Sequence, residues 1–217
     1  MNLYTFYSDT HLRLYEDYFI KSLINTDFDK VNLIVTKVEQ QSKSGAFMEA
    51  GWLVTMRDKM DLLCEAIDEN WGSWFIFADC DIQFLKPFYD DLCLHKNDQY
   101  DLIAQSDTGT ICAGFFLAKA DTKLKKLFNK VRKNITNDFN DQVALNAYSD
   151  MIEWRLLDSS KYFTIGNFNG GKVWNGETDI IIPENILVHH ANFTVGVENK
   201  ILLMEYVKNS RGIYANK

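Results

Sequence analysis

The chain has 217 residues, 47% hydrophobic and 14% aromatic, which is enough apolar surface for a sizeable core and excludes a disordered chain. Its formal charge of −7 argues against nucleic acid as the main partner. A polyanionic ligand would therefore need a local cluster of Lys and Arg, or a metal ion. No apolar run approaches membrane-spanning length, and the start Met1-Asn2-Leu3-Tyr4-Thr5-Phe6-Tyr7 reads as a strand rather than a secretion signal.

Leu3–Tyr7 predicts a first strand, followed by a helical pattern through Leu14, Tyr18, Ile20 and Leu23. Val31–Val35 predicts a second strand with a continuous apolar face. After Gly45 a helix is expected to about Asp68, because Leu53, Met56, Met60, Leu63 and Ile67 recur at the spacing of one buried stripe. Trp74-Phe75-Ile76-Phe77-Ala78 is wholly apolar, as a central parallel strand covered on both faces would be. Leu102–Ala104 and Gly114–Ala118 are further strands. Lys123–Lys133 predicts a helix capped by Asp121 or Thr122, its lysines an ordinary solvated face. Another helix is expected near Asp141–Asp150, strands around a turn at Asn167-Phe168-Asn169-Gly170-Gly171 between Tyr162 and Ile182, and a closing helix at Ile201–Val207. No linker or repeat interrupts this order, which implies one α/β domain.

Cys64, Cys80, Cys93 and Cys112 form no CxxC pair and sit in apolar surroundings, so buried free thiols and a reducing, cytoplasmic compartment are expected. The sequons at Asn134 and Asn192 would then go unused.

Asp79-Cys80-Asp81 directly follows the most apolar strand. In open α/β sheets ligands collect at the carboxyl ends of strands, and two carboxylates two residues apart can converge on one hard cation. By residue content alone a polar turn holding two acids is an equal reading. The run from His190 to Lys200 adds a neutral nitrogen ligand, a Gly at Gly196 that permits close backbone approach, and a Lys able to meet phosphate. Of the adjacent pair His189 and His190, only one can face the cleft if they lie on a strand.

Together these motifs resemble the nucleotide-diphospho-sugar transferases of the GT-A fold. His190-x-Asn192-x3-Gly196-x3-Lys200 is similar to the C-terminal signature of the branch containing plant cell-wall xylosyl- and galactosyltransferases. Ala113-Gly114-Phe115-Phe116 resembles the small-Gly-aromatic segment of that family, and Asp141-Gln142-x2-Leu145-Asn146 its Asp-Gln motif. A narrower likeness is to transferases that build capsid glycans in large algal viruses.

The resemblance implies a mixed, mainly parallel central sheet flanked by helices, with 1–110 as a nucleotide-binding half and 111–217 as the half that completes the metal and acceptor sites. It implies manganese or magnesium held by Asp79, Asp81 and His190. Asp79, Gly114, Gly196 and Lys200 would contact the donor, a UDP-sugar, with Lys200 at the diphosphate. Arg57, or Lys59, on the preceding helix would also reach the donor, unless Arg57 pairs with Asp61 at i+4. Tyr7 and Ser8 would lie at the nucleobase. Asp141 and Gln142 would face the transferred sugar or a glycan or glycoprotein acceptor, unless they only begin a helix. The family commonly has Asn where Cys112 stands, which implies a missing sugar hydrogen bond. Transfer with retention is expected. A phosphohydrolase of the haloacid-dehalogenase type and a catalytically silent sugar-nucleotide-binding module are the alternatives.

Overall fold

In the computed structural model, which describes residues 1–210, the strands sort into two sheets. The larger has the order β2-β1-β3-β6-β5-β7: β1 (Asn2–Tyr7), β2 (Asn32–Lys37), β3 (Trp74–Ala78), β5 (Leu102–Asp107), β6 (Thr110–Lys119) and β7 (Trp154–Leu156). β1 runs parallel to β2 and β3, and β5 parallel to β7, whereas β6 is antiparallel to β3 and β5. This is the mixed, mainly parallel sheet that was expected. A smaller sheet, β4-β9-β8, combines β4 (Ile82–Phe84), β9 (Val188–His190) and β8 (Tyr162–Thr164).

β3 is apolar at every position because both of its faces are covered. Its side chains alternate, so Phe75 and Phe77 join one core while Ile76 and Ala78 join another. The first core is closed by α3 (Trp52–Glu69) through Met60, Leu63 and Ile67, and by α5 (Thr122–Asn134) through Leu124, Leu127, Phe128 and Val131. The second holds Phe19 and Leu23 from a helical stretch in which α1 (Leu12–Leu14) and α2 (Lys21–Ile24) flank a π-helical segment, Tyr15–Ile20. Leu92 of α4 (Tyr89–Cys93) completes it. The remaining helices are α6 (Asp141–Ala147), α7 (Gly166–Asn169) and α8 (Val197–Ser210), of which α8 packs Leu203, Met204 and Val207 against the smaller sheet side.

Several expectations change. The helix expected after Gly45 starts only at Trp52, because Gly45, Met48 and Gly51 take positive φ in the preceding loop. β2 is an edge strand whose expected apolar face is only partly buried, with Leu33 and Ile34 half-buried and Val35 exposed. β3 has a parallel neighbour on one side only, since β6 returns antiparallel from its hairpin with β5. Between Tyr162 and Ile182 only Tyr162–Thr164 is a strand; Asn167, Phe168 and Asn169 belong to α7, which Gly170 ends in the left-handed conformation. Cys80 and Cys112 are buried, but Cys64 and Cys93 are only half-buried; all four thiols are free.

Candidate active site

A cleft of about 440 Å³ opens beyond the carboxyl ends of β1 and β3, within the range of small-molecule sites. Its lining includes Tyr7, Ser8, Lys59, Asp79, Asp81, Gly114, Asp141, Gln142, His190 and Lys200, so motifs far apart in sequence meet there. Two sequence-derived candidates fall elsewhere. Gly196, just before α8, is not among the lining residues; its φ of +84° explains the glycine, and an added Cβ would meet open space. Arg57 donates from Nη2 to the carbonyl of Ile135 at 2.8 Å and does not line the cleft. The i+4 pairing with Asp61 is also absent, because Asp61 pairs with Arg132.

Lys59 takes the place that Arg57 does not. It lies on the buried stripe of α3, 2% exposed, with Nζ 3.0 Å from Asp79 Oδ2 and 3.3 Å from Asp141 Oδ2. Burial works against its charge, but Asp79 and Asp141 outweigh that and raise its pKa. Lys59 thus ties the acid after β3 to the first residue of α6. Burial pushes Asp79 up to about 6 against the opposing pull of Lys59. Its Oδ1 is buried and has no hydrogen-bond partner.

Asp81 is buried against two cations. Lys200 Nζ bonds Asp81 Oδ2 and also donates to the carbonyl of Ala191 at 3.0 Å, while His190 Nε2 lies 3.3 Å from Asp81 Oδ1. Burial alone would raise the Asp81 pKa, yet Lys200 and His190 hold it well below the usual carboxylate range. Burial would lower His190, but Asp81 reverses this and pushes it up to about 10.

The register of β9 decides which histidine reaches the cleft. His190 pairs with Ile82 and His189 with Gln83, so their side chains leave on opposite faces. His189 is fully buried; its Nδ1 accepts from Gln83 Nε2 at 2.7 Å, and Gln83 Nε2 also donates to the carbonyl of Met204. Burial lowers its pKa to about 3, which keeps it neutral.

Asp79, Asp81 and His190 could hold one cation, since a ligand atom from each lies within 4.8 Å of the others. The orphaned Asp79 Oδ1 fits that assignment, because a buried carboxylate oxygen without a partner is costly unless a ligand satisfies it. Gly114 makes the approach feasible. A Cβ there would stand 2.3 Å from His190 Cε1 and 2.8 Å from Asp79 Oδ2.

Asp141 and Gln142 do begin a helix, and they also enter the cleft. Gln142 Oε1 accepts from the Ala113 amide at 3.1 Å, and its Nε2 donates to Asp107 Oδ2 at 2.5 Å. One turn later Asn146 exchanges hydrogen bonds with both main-chain groups of Ile111. These side chains satisfy β6 where its ladder with β5 breaks, between Ala104 opposite Phe116 and Ser106 opposite Ile111. Cys112 is not among the residues that line the cleft. It is fully buried behind His190, with Sγ 3.4 Å from His190 Nδ1.

Sequence reasoning missed Asp107 and His11, which also line the cleft. Asp107 ends β5 just as Asp79 follows β3, so the same rule about strand ends could have flagged it. Its Oδ1 is buried without a partner, and burial raises its pKa despite the bond from Gln142. His11 follows β1, near Thr10 and Ser8 hydroxyls, and carried no sequence signal.

Similar folds occur in known structures. A glycosyltransferase involved in glycosylating the major capsid of PBCV-1 matches with a TM-score of 0.62 at 14% identity, over 95% of this chain and 98% of that one. The glycosyltransferase GlyE of Streptococcus pneumoniae TIGR4 matches at 0.55 and 16% identity, over 98% of this chain but 64% of that one, so the chain spans less than two thirds of GlyE. The galactosyltransferase LgtC, solved with donor and acceptor sugar analogues, matches at 0.54 and 12% identity, over 88% and 86%. These likenesses identify the GT-A fold. No curated protein matches the chain in sequence. Among the described residues no helix is long and apolar enough to cross a membrane. The model of the nucleotide-diphospho-sugar transferase family matches residues 17–204, and the chain belongs to that family.

Proposed function

We propose that the protein transfers a sugar, with retention, from a UDP-sugar to a hydroxyl of a glycan or glycoprotein acceptor, using manganese or magnesium held by Asp79, Asp81 and His190. The observation that carries this reading is the convergence of those three groups with Lys200 in one cleft of a nucleotide-diphospho-sugar transferase. A divalent ion there supplies charge for the diphosphate and for the nucleoside diphosphate as it departs. The imidazole ligand favours manganese over calcium. Family membership favours sugar transfer over phosphohydrolysis.

The side chains of this cleft then divide the work. Lys200 meets the diphosphate as a point charge, while Gly196, outside the cleft, serves the turn into α8. Tyr7 and Ser8 border the nucleobase; Tyr7 is already stacked on Tyr15, with ring centroids 4.6 Å apart. Asp141 and Gln142 face the transferred sugar or the acceptor, held in place by Lys59, Asp107 and the Ala113 amide. The free thiols support a reducing, cytoplasmic setting.

The deciding experiment is a UDP-sugar panel with manganese, following UDP and free sugar with and without glycan acceptors. Acceptor-dependent UDP release that stops on chelation is expected, with the product anomer reading out retention. Full activity in excess chelator, or release of inorganic phosphate from simple phosphate esters, would replace the reading.

A further inference from the structure

We infer that Gln105 is a positioning residue for the divalent-ion site: it engages His190 Nδ1 and thereby leaves Nε2 to serve as the metal ligand beside Asp79 and Asp81. The inference rests on the proposed ion site and adds to it a residue that belongs to none of the motifs.

Gln105 sits on β5 at the break in the β5–β6 ladder, and its side chain is fully buried. A buried amide needs both of its ends satisfied. The nitrogen end is fixed from outside the site, because Nε2 donates to the carbonyl of Phe163 at 3.1 Å. The oxygen end is thereby turned to His190, with Oε1 3.2 Å from Nδ1. A carboxamide oxygen can only accept, so Nδ1 must carry the hydrogen. In the neutral ring that binds a metal, the lone pair then belongs to Nε2. Nε2 is also the atom nearest the acids, 3.3 Å from Asp81 Oδ1.

The thiol of Cys112 reaches the same Nδ1 from β6, the strand across the break, at 3.4 Å. The break thus forms a slot between β5 and β6 into which β9 inserts the imidazole. Gln105 and Cys112 lie at its Nδ1 end, and Gly114 leaves room beside Cε1. Metal-binding histidines are commonly oriented in this way, and loss of the orienting partner weakens metal binding by roughly 10- to 100-fold.

Two substitutions separate this role from simple packing. Gln105→Leu and Gln105→Glu both lose the bond to the Phe163 carbonyl, but only the Glu variant keeps an acceptor for Nδ1. Manganese alone is titrated by calorimetry, and pulsed electron paramagnetic resonance reads the coupling of the bound manganese to imidazole nitrogen. Gln105→Leu should weaken manganese about 10- to 100-fold and reduce the nitrogen coupling, whereas Gln105→Glu should stay within about threefold of the native protein. Wild-type affinity in Gln105→Leu, or equal weakening in both variants, overturns the positioning role while leaving the ion site intact. If the native protein itself takes up no manganese, the ion site fails and the positioning role falls with it. Should Gln105→Leu not fold, Gln105→Met, of similar length and without the amide, takes its place under the same criteria.

Discussion

Gly114→Ala puts one methyl group where the site has least room. The new Cβ would lie 2.3 Å from His190 Cε1, 3.0 Å from His190 Nε2 and 2.8 Å from Asp79 Oδ2. Ordinary carbon contacts begin near 3.5 Å, so the ring must retreat by roughly 1.2 Å. The backbone at Gly114 cannot easily yield instead, because its carbonyl accepts from the Asp79 amide at 2.7 Å and Phe115 pairs with Ala78. The ring is also engaged at Nδ1 by Gln105 and Cys112. Metal–ligand distances tolerate only about 0.2 Å, and a displacement of roughly 1 Å near reacting groups can cost about a hundredfold in rate. Manganese affinity should therefore fall at least about tenfold, and kcat/KM by about a hundredfold. Overpacking should also cost about 1–3 kcal/mol of stability. Calorimetric titration with manganese, donor turnover and thermal melting read these effects on one preparation. Native manganese affinity and unchanged turnover in a folded Gly114→Ala protein would refute the claim that His190 and Asp79 share the space over Gly114.

Gly196→Ala is the matching control: φ is +84° there and the Cβ meets open space, so strain of about 1–2 kcal/mol is expected with no change in manganese affinity. Asp81→Asn should fold and lose at least about a hundredfold in transfer, measured as UDP release; near-native activity would remove Asp81 from the ion site. His190→Ala should lose manganese binding with the fold kept, whereas His189→Ala, which strips Gln83 of a buried partner, should cost about 1–3 kcal/mol in a denaturant titration and largely spare the metal. The reverse pattern would shift the register of β9 by one residue. Lys59→Met should destabilise by about 3–5 kcal/mol, because it leaves Asp79 and Asp141 without their shared buried cation. A melting temperature equal to the native one would show that this tie carries no weight.

The parts of this protein visible in its sequence are those written in short periods. The unbroken apolar run of β3, the stripe from Met60 to Ile67 and the Asp121 cap of α5 are consequences of local geometry, as is the placement of Asp79 and Asp81 at a strand end. Two-residue alternation allows only one of His189 and His190 to face the cleft, and the resemblance to the family signature through Asn192, Gly196 and Lys200 names His190. What the sequence left open involves residues whose partners are distant in the chain. Lys59 stood beside Arg57 as an alternative toward the donor, and only the fold reveals Asp79 and Asp141 as its partners. Cys112 read only as a departure from the family pattern, and its contact with His190 becomes visible only in the fold. Gln105 had no signal at all, because its role depends on a broken ladder between β5 and β6 and on β9 entering from another sheet. Periodicity determines which side of an element a residue occupies, but the crossing of elements decides what stands opposite. Buried polar groups depend on that crossing, because each needs its partner within hydrogen-bonding distance.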